Sequence, residues 1–128
     1  MVEKGHVASV PVATVAARVF AALGDPIRCA LVARLAAGDA TVGQLAEPYS
    51  VTLQAISKHL MVLQEAGVVT KRKVGQQRVV HLEIEHLDLA VVWLENYRRQ
   101  AEAQYQRLDA VLADLNRTNK PFHERTLR

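Results

Sequence analysis

Cysteine is almost missing: Cys29 is the only one in 128 residues. One thiol cannot build a disulfide framework or an all-cysteine metal cage, and it fits a reducing compartment. No stretch approaches the ~18 uninterrupted apolar residues of a membrane-spanning helix. The opening Met1-Val2-Glu3-Lys4-Gly5-His6 lacks a basic region followed by a compact apolar core, so no secretory signal is expected and the expected location is the cytoplasm. There is no glycine-rich phosphate loop and no serine or cysteine nucleophile motif. Paired carboxylates fall only on polar helix faces, where water solvates them. The chain therefore reads as no enzyme, with no cofactor and no metal site.

What remains is ordinary globular composition, 50% apolar and 23% charged, in a chain the length of one domain. The net charge of +3 is unevenly placed. Residues 41–82 hold Lys58, Lys71, Arg72, Lys73 and Arg78 against Glu47 and Glu65, a balance equal to the excess of the whole protein. A polyanion would be met there.

Residues 1–10 read as a flexible arm. An alanine-rich first helix follows over 12–23, stopped by Gly24. Asp25-Pro26 is a cap followed by proline at the first helical position, and Ile27, Leu31 and Leu35 form the stripe of a second helix. Thr41 caps a short third helix over 42–47, which Pro48 stops. Thr52 caps a fourth, running to about Ala66, with Leu53, Ile56, Leu60 and Leu63 as its expected core face. Gln54, Ser57, Lys58, Met61 and Glu65 lie opposite, and Gly67 ends it. The period then changes from 3.6 to 2. Residues 68–74 and 78–82 read as two strands joined by a turn at Gly75-Gln76-Gln77, with a basic, polar tip.

From about Glu85 to Leu115 there is neither glycine nor proline. Leu87, Val91, Leu94, Arg98, Ala101, Tyr105, Leu108, Leu112 and Leu115 alternate spacings of 4 and 3, a heptad-like seam interrupted by one charge. A helix of ~30 residues is ~45 Å long, too long to bury its seam on so small a domain. A second copy of the chain is the expected partner. Residues 117–128 read as a flexible tail.

A capped short helix, a tight turn, a helix with a polar face and a basic hairpin make a winged helix-turn-helix. Its fourth helix has the shape that a major groove ~12 Å wide admits. Three stretches carry a family likeness: Ala22-Leu23-Gly24-Asp25-Pro26-Ile27-Arg28, Gln44-Leu45-Ala46, and Ala55-Ile56-Ser57-Lys58-His59-Leu60 followed by Leu63-Gln64-Glu65-Ala66-Gly67-Val68-Val69. They resemble the ArsR/SmtB-type bacterial repressors over about residues 18–97. Trp93-Leu94-Glu95-Asn96-Tyr97-Arg98-Arg99 resembles a metal-independent branch. The resemblance implies a mainly α winged helix-turn-helix with a two-stranded β-wing and a long C-terminal dimerisation helix, over residues 11–116. It implies a homodimeric repressor of transcription on double-stranded DNA with an inverted-repeat operator. The first helix would add Val15 and Val19 to the dimer contacts of Leu87, Val91, Leu94, Ala101, Tyr105, Leu108 and Leu112.

The expected DNA contacts follow from residue chemistry. Gln54 can pair bidentately with adenine. Ser57 reaches a base or a phosphate, and Lys58 a phosphate. Thr52 is first a cap and then a phosphate donor. His59 flanks the apolar stripe and is expected to pack or to stand in a second row. Arg72, Lys73 and Arg78 of the wing would flank a minor groove, with Gln76 and Gln77 on sugar-phosphate. The bland alternative for each cation is a solvated surface charge.

The metal-sensing relatives carry cysteines on the first helix of the helix-turn-helix; the matching Thr41-Val42-Gly43-Gln44-Leu45-Ala46 has none, which excludes thiolate capture there. A makeshift site of His81, Glu83, Glu85 and His86 stays open as an alternative. A second alternative is a winged-helix module that binds protein and leaves its basic face idle. Cys29 is expected to be half-buried, inert packing. No small-molecule or metal inducer is named by these residues.

Overall fold

A computed structural model describes residues 10–118 of the chain. In order they form α1 (Val12–Ala22), α2 (Pro26–Leu35), β1 (Ala40–Thr41), α3 (Val42–Ala46), α4 (Leu53–Glu65), β2 (Val69–Val74), β3 (Gln77–Leu82) and α5 (Ile84–Thr118). Two compact units divide this chain, the first ending at Trp93 and the second beginning at Leu94 within α5. The expected arm lies outside the described residues except for Val10. The expected tail lies outside them from residue 119, while Arg117 and Thr118 continue α5.

Side-chain caps start the three helices of the first unit that follow α1. The Asp25 carboxylate accepts from the backbone N–H of Ile27 at 2.9 Å and of Arg28 at 3.1 Å, with Pro26 filling the first helical position. Thr41 and Gln44 form a reciprocal box: the Thr41 hydroxyl accepts from Gln44 N–H at 3.1 Å, and Gln44 Oε1 accepts from Thr41 N–H at 2.9 Å. The Thr52 hydroxyl accepts from Ala55 N–H at 3.0 Å. Each bond satisfies a donor that the helix itself leaves orphaned.

The Asp25 carboxyl is held below its ordinary range, first by the Arg28 backbone N–H, against opposing desolvation, and then by the positive field of His59, the Ile27 N–H and the Arg28 charge. A depressed carboxyl contributes stability above its unfolded pKa and loses it as pH falls through the folded value. Asp25→Ala should therefore lower Tm at neutral pH, and the gap from wild type should close as pH drops through and below the usual aspartate range. A gap that stays constant down to that acidity would remove the charged cap from the account.

The sheet is antiparallel in the order β1-β3-β2. Ala40 pairs with Val80 and Thr41 with Val79, so the wing has a third, two-residue strand beyond the two expected. Two residues carry no readable period, and this strand exists only because β3 arrives to pair with it. Gly75, at φ +62, supplies the left-handed backbone at the first of the two turn residues. Gln77 belongs to β3 rather than to the turn.

Leu31, Leu35, Leu45, Ile56, Leu60, Leu63, Val68, Val69 and Val80 form the centre of the core. Each is worth ~1.5–3 kcal/mol on burial, which fixes α2, α3 and α4 against the inner strand edge. Three expectations are corrected here. Leu53 is not on the core face of α4; it is 55% exposed, while Ile56, Leu60 and Leu63 are fully buried. Val15 and Val19 are 4% and 0% exposed within the single chain, so they have almost no surface left for a partner. Cys29 is exposed, not half-buried, and its thiol donates to the Leu23 carbonyl at 2.9 Å.

Candidate nucleic-acid interface

The face of interest begins with the helix-turn-helix itself. Leu45 of α3 and the buried row of α4 commit one side of each helix to the core. Period 3.6 then sends Leu53, Gln54, Lys58 and Met61 outward, with Ser57 half-buried between them. The outward residues divide about Ser57. On one side Thr52, Gln54, Ala55 and Lys58 join Ser57 in a shallow hollow of about 420 Å³. On the other, Leu53, Ser57 and Met61 line a groove of about 540 Å³ whose far wall is Lys71, Gln77 and Arg78 of the wing, with Thr41, Val42 and Gly43 at one side. No carboxylate lines either hollow.

His59 does not join this face. It is held by the Arg28 guanidinium, whose Nη1 lies 3.2 Å from His59 Nδ1. The same nitrogen lies 3.8 Å from the Asp25 carboxylate, and Arg28 Nε donates to the Ala22 carbonyl at 2.6 Å. The Asp25-Pro26-Ile27-Arg28 segment thus ties the end of α1 to the side of α4. His59 is half-buried there, behind the outward residues of α4.

The wing separates cations that the sequence groups together. Alternation puts Lys71 and Lys73 of β2 on one face with Arg78 of β3, and Arg72 on the other. Lys73 pairs directly with Arg78. Like charges opposite one another destabilise a ladder, and an anion between them would relieve it. Arg72 instead meets the Asp39 carboxylate at 3.6 Å, which also accepts from His81 Nδ1 at 2.7 Å. Gln76 and Gln77 are exposed at the tip, as is Val74, at 50%, so the tip is less polar than expected. Three residues of the two facing walls were not among the expected contacts, Lys71, Leu53 and Met61. The parity of Lys71 with Lys73 would have found the first, whereas nothing in the period of α4 marks the second.

The alternative metal set is dispersed by its own bonds. His81 is taken by Asp39, Glu83 accepts from the Thr70 hydroxyl at 2.9 Å, and His86 Nδ1 donates to the Ala66 carbonyl at 3.1 Å. Among the described residues no three potential ligands come together.

The dimer candidates fall in both units. In the first, Leu87 packs half-buried on the core, Val91 is exposed, and Trp93 meets Phe20 edge-on at 5.9 Å. In the second, Leu94, Tyr105, Leu108, Leu112 and Leu115 are all half or more exposed apart from Leu112 at 49%, and Ala101 is half-buried. Arg98 is ion-paired to Glu95 at 2.9 Å and Glu102 at 3.0 Å along the helix. The Glu95 hydrogen bond, then the charges of Glu95 and Glu102, hold its guanidinium above the ordinary range.

Residues 23–72 match the family model described as a helix-turn-helix domain. The chain is 33% identical over 79 residues to the transcriptional repressor SdpR of Bacillus subtilis, covering 62% of this chain and 88% of that protein. It is similar to an ArsR-like transcriptional regulator from Rhodococcus sp. RHA1, with TM-score 0.71 and 29% identity over 80% of this chain and 96% of that one. It is also similar to the homodimeric winged helix-turn-helix DNA-binding domain of a possible ArsR-family transcriptional regulator from Mycobacterium bovis. There the TM-score is 0.54 and the identity 25%, over 65% of this chain and 79% of that one.

Proposed function

The chain belongs to the ArsR/SmtB-type family of winged helix-turn-helix transcriptional regulators, and from that premise we propose that it is a homodimeric repressor that binds an inverted-repeat operator in double-stranded DNA. The observation that carries the reading is the pair of carboxylate-free hollows on α4, beside the opposed Lys73–Arg78 pair of the wing. Gln54 pairs with adenine in the major groove and Ser57 stands at the centre of the contact. Lys58, with Lys71, Lys73 and Arg78 of the wing, holds phosphates, which position the protein, while the helix chooses the sequence. A two-fold dimer places its two recognition helices about one DNA turn, ~34 Å, apart. Bound there, it obstructs polymerase and acts without catalysis. Among the described residues no helix is long and apolar enough to cross a membrane, in keeping with work in the cytoplasm.

The test is binding to the DNA upstream of its own gene against a scrambled competitor at about physiological salt. A preference of ~1000-fold or more is expected of a sequence-specific regulator. Equal, salt-sensitive binding to both would leave only a polyanion footprint and return the protein-binding module. Within the specific complex, Lys58→Ala should weaken every DNA sequence about equally and lower the salt slope by roughly 1. Loss confined to one operator base would contradict its phosphate role.

A further inference from the structure

We propose that Leu53 reads a thymine: its side chain receives the 5-methyl group of that base in the major groove. The inference rests on the DNA-binding reading above and names a specificity residue for it. A single exposed leucine ordinarily needs no explanation. Leu53 differs in where it stands. It is the first residue of α4, and the N-terminal residues of a recognition helix are those that reach base edges. It is 55% exposed although Ile56, one turn on, is fully buried. It also opens a row, Leu53, Ser57 and Met61, that forms one wall of a groove of about 540 Å³.

The groove has a particular chemistry. Its helix wall is apolar at both ends, and its opposite wall carries Lys71 and Arg78 with no carboxylate. Cations on the rim would hold a phosphate backbone, which leaves the apolar floor facing the edges of the bases. Only one base presents an apolar group there, thymine with its C5-methyl. Gln54 on the other side of Ser57 reads adenine, so the two sides of α4 together favour A·T pairs by different means, one by hydrogen bonds and one by excluding water from a methyl.

Replacing thymine by deoxyuridine removes that methyl and leaves the base-pairing edge intact. Each thymine of the operator is replaced in turn and the Kd measured. At one thymine per half-site, or two adjacent ones, wild-type binding should weaken about fourfold, the worth of one buried methyl. In Leu53→Ala the thymine-to-uracil ratio at that position should fall to about 1, and in Leu53→Met it should persist. The ratio is taken within one protein, so a partly unfolded variant lowers both affinities and leaves it readable. Wild-type binding that ignores uracil everywhere, while still preferring operator over scrambled DNA, would overturn the Leu53 assignment alone. A ratio undiminished in Leu53→Ala would do the same. Absence of any operator preference would remove the DNA-binding reading and this assignment with it.

Discussion

Leu108→Asp is expected to turn the protein into a monomer of 14.1 kDa and to weaken operator binding by on the order of 100-fold or more. Leu108 is 53% exposed on its own chain, in a row with Tyr105, Leu112 and Leu115 that the second unit leaves uncovered. A seam of this period is covered by the same seam of a second copy. A two-fold interface would bury the new carboxylate against the partner's apolar seam, and removing an unpaired charge from water costs several kcal/mol. The loss on DNA is larger than the lost contact, because two linked recognition helices bind the second half-site at high effective concentration. Since Leu108 lies outside the first unit, the core around Ile56 and Leu60 should remain folded. Sedimentation velocity reads the first effect and titration of full and half operators the second. A dimer that persists places the seam elsewhere on the protein.

Gly67→Ala should be the most damaging single methyl in the first unit, at about 2–3 kcal/mol and a fall in Tm on the order of 10 °C. Gly67 ends α4 with φ +77, where a side chain is strained. Its N–H bonds the Gln64 carbonyl at 3.0 Å and Val68 N–H the Leu63 carbonyl at 2.9 Å, closing the helix as a Schellman motif. A Cβ built there would also land on the His86 ring. That ring could move only by giving up its bond to the Ala66 carbonyl, the contact between the first turn of α5 and the end of α4. In a His86→Ala background the ring is gone, so the same glycine change should cost only the backbone part, roughly 1 kcal/mol. Denaturant titrations at one protein concentration give both numbers. Equal costs in the two backgrounds would show that His86 does not constrain the turn.

The element order was legible because local chemistry writes it. Asp25, Thr41 and Thr52 start helices through bonds two or three residues away, and such bonds need no tertiary partner. Gly67 and Gly75 mark positive φ for the same reason. The wing register follows once the turn is placed, since one slip would reverse every side chain. Three misreadings share the opposite origin. Leu53 falls at a spacing that fits the buried row of α4, and only the closeness of α3 and the wing leaves it in a groove. Val15 and Val19 look free on a helix wheel, yet the chain's own core takes them. Cys29 looks half-apolar from its neighbours, but its side of α2 is left open.

The family, the caps, the helix-turn-helix and the basic hairpin were readable from residue order alone, because contacts within a few residues or a repeating period carry them. The fold settled which charges act together. It put Lys71 with Lys73 and Arg78 on one face, sent Arg72 to Asp39, and drew His59 to Arg28. Asp39 lies far from His81 in the chain and His59 far from Arg28, so no local period encodes those pairs. Folding the apolar core brings them within bonding distance, and the composition of the DNA-facing surface follows from which side chains those pairs withdraw.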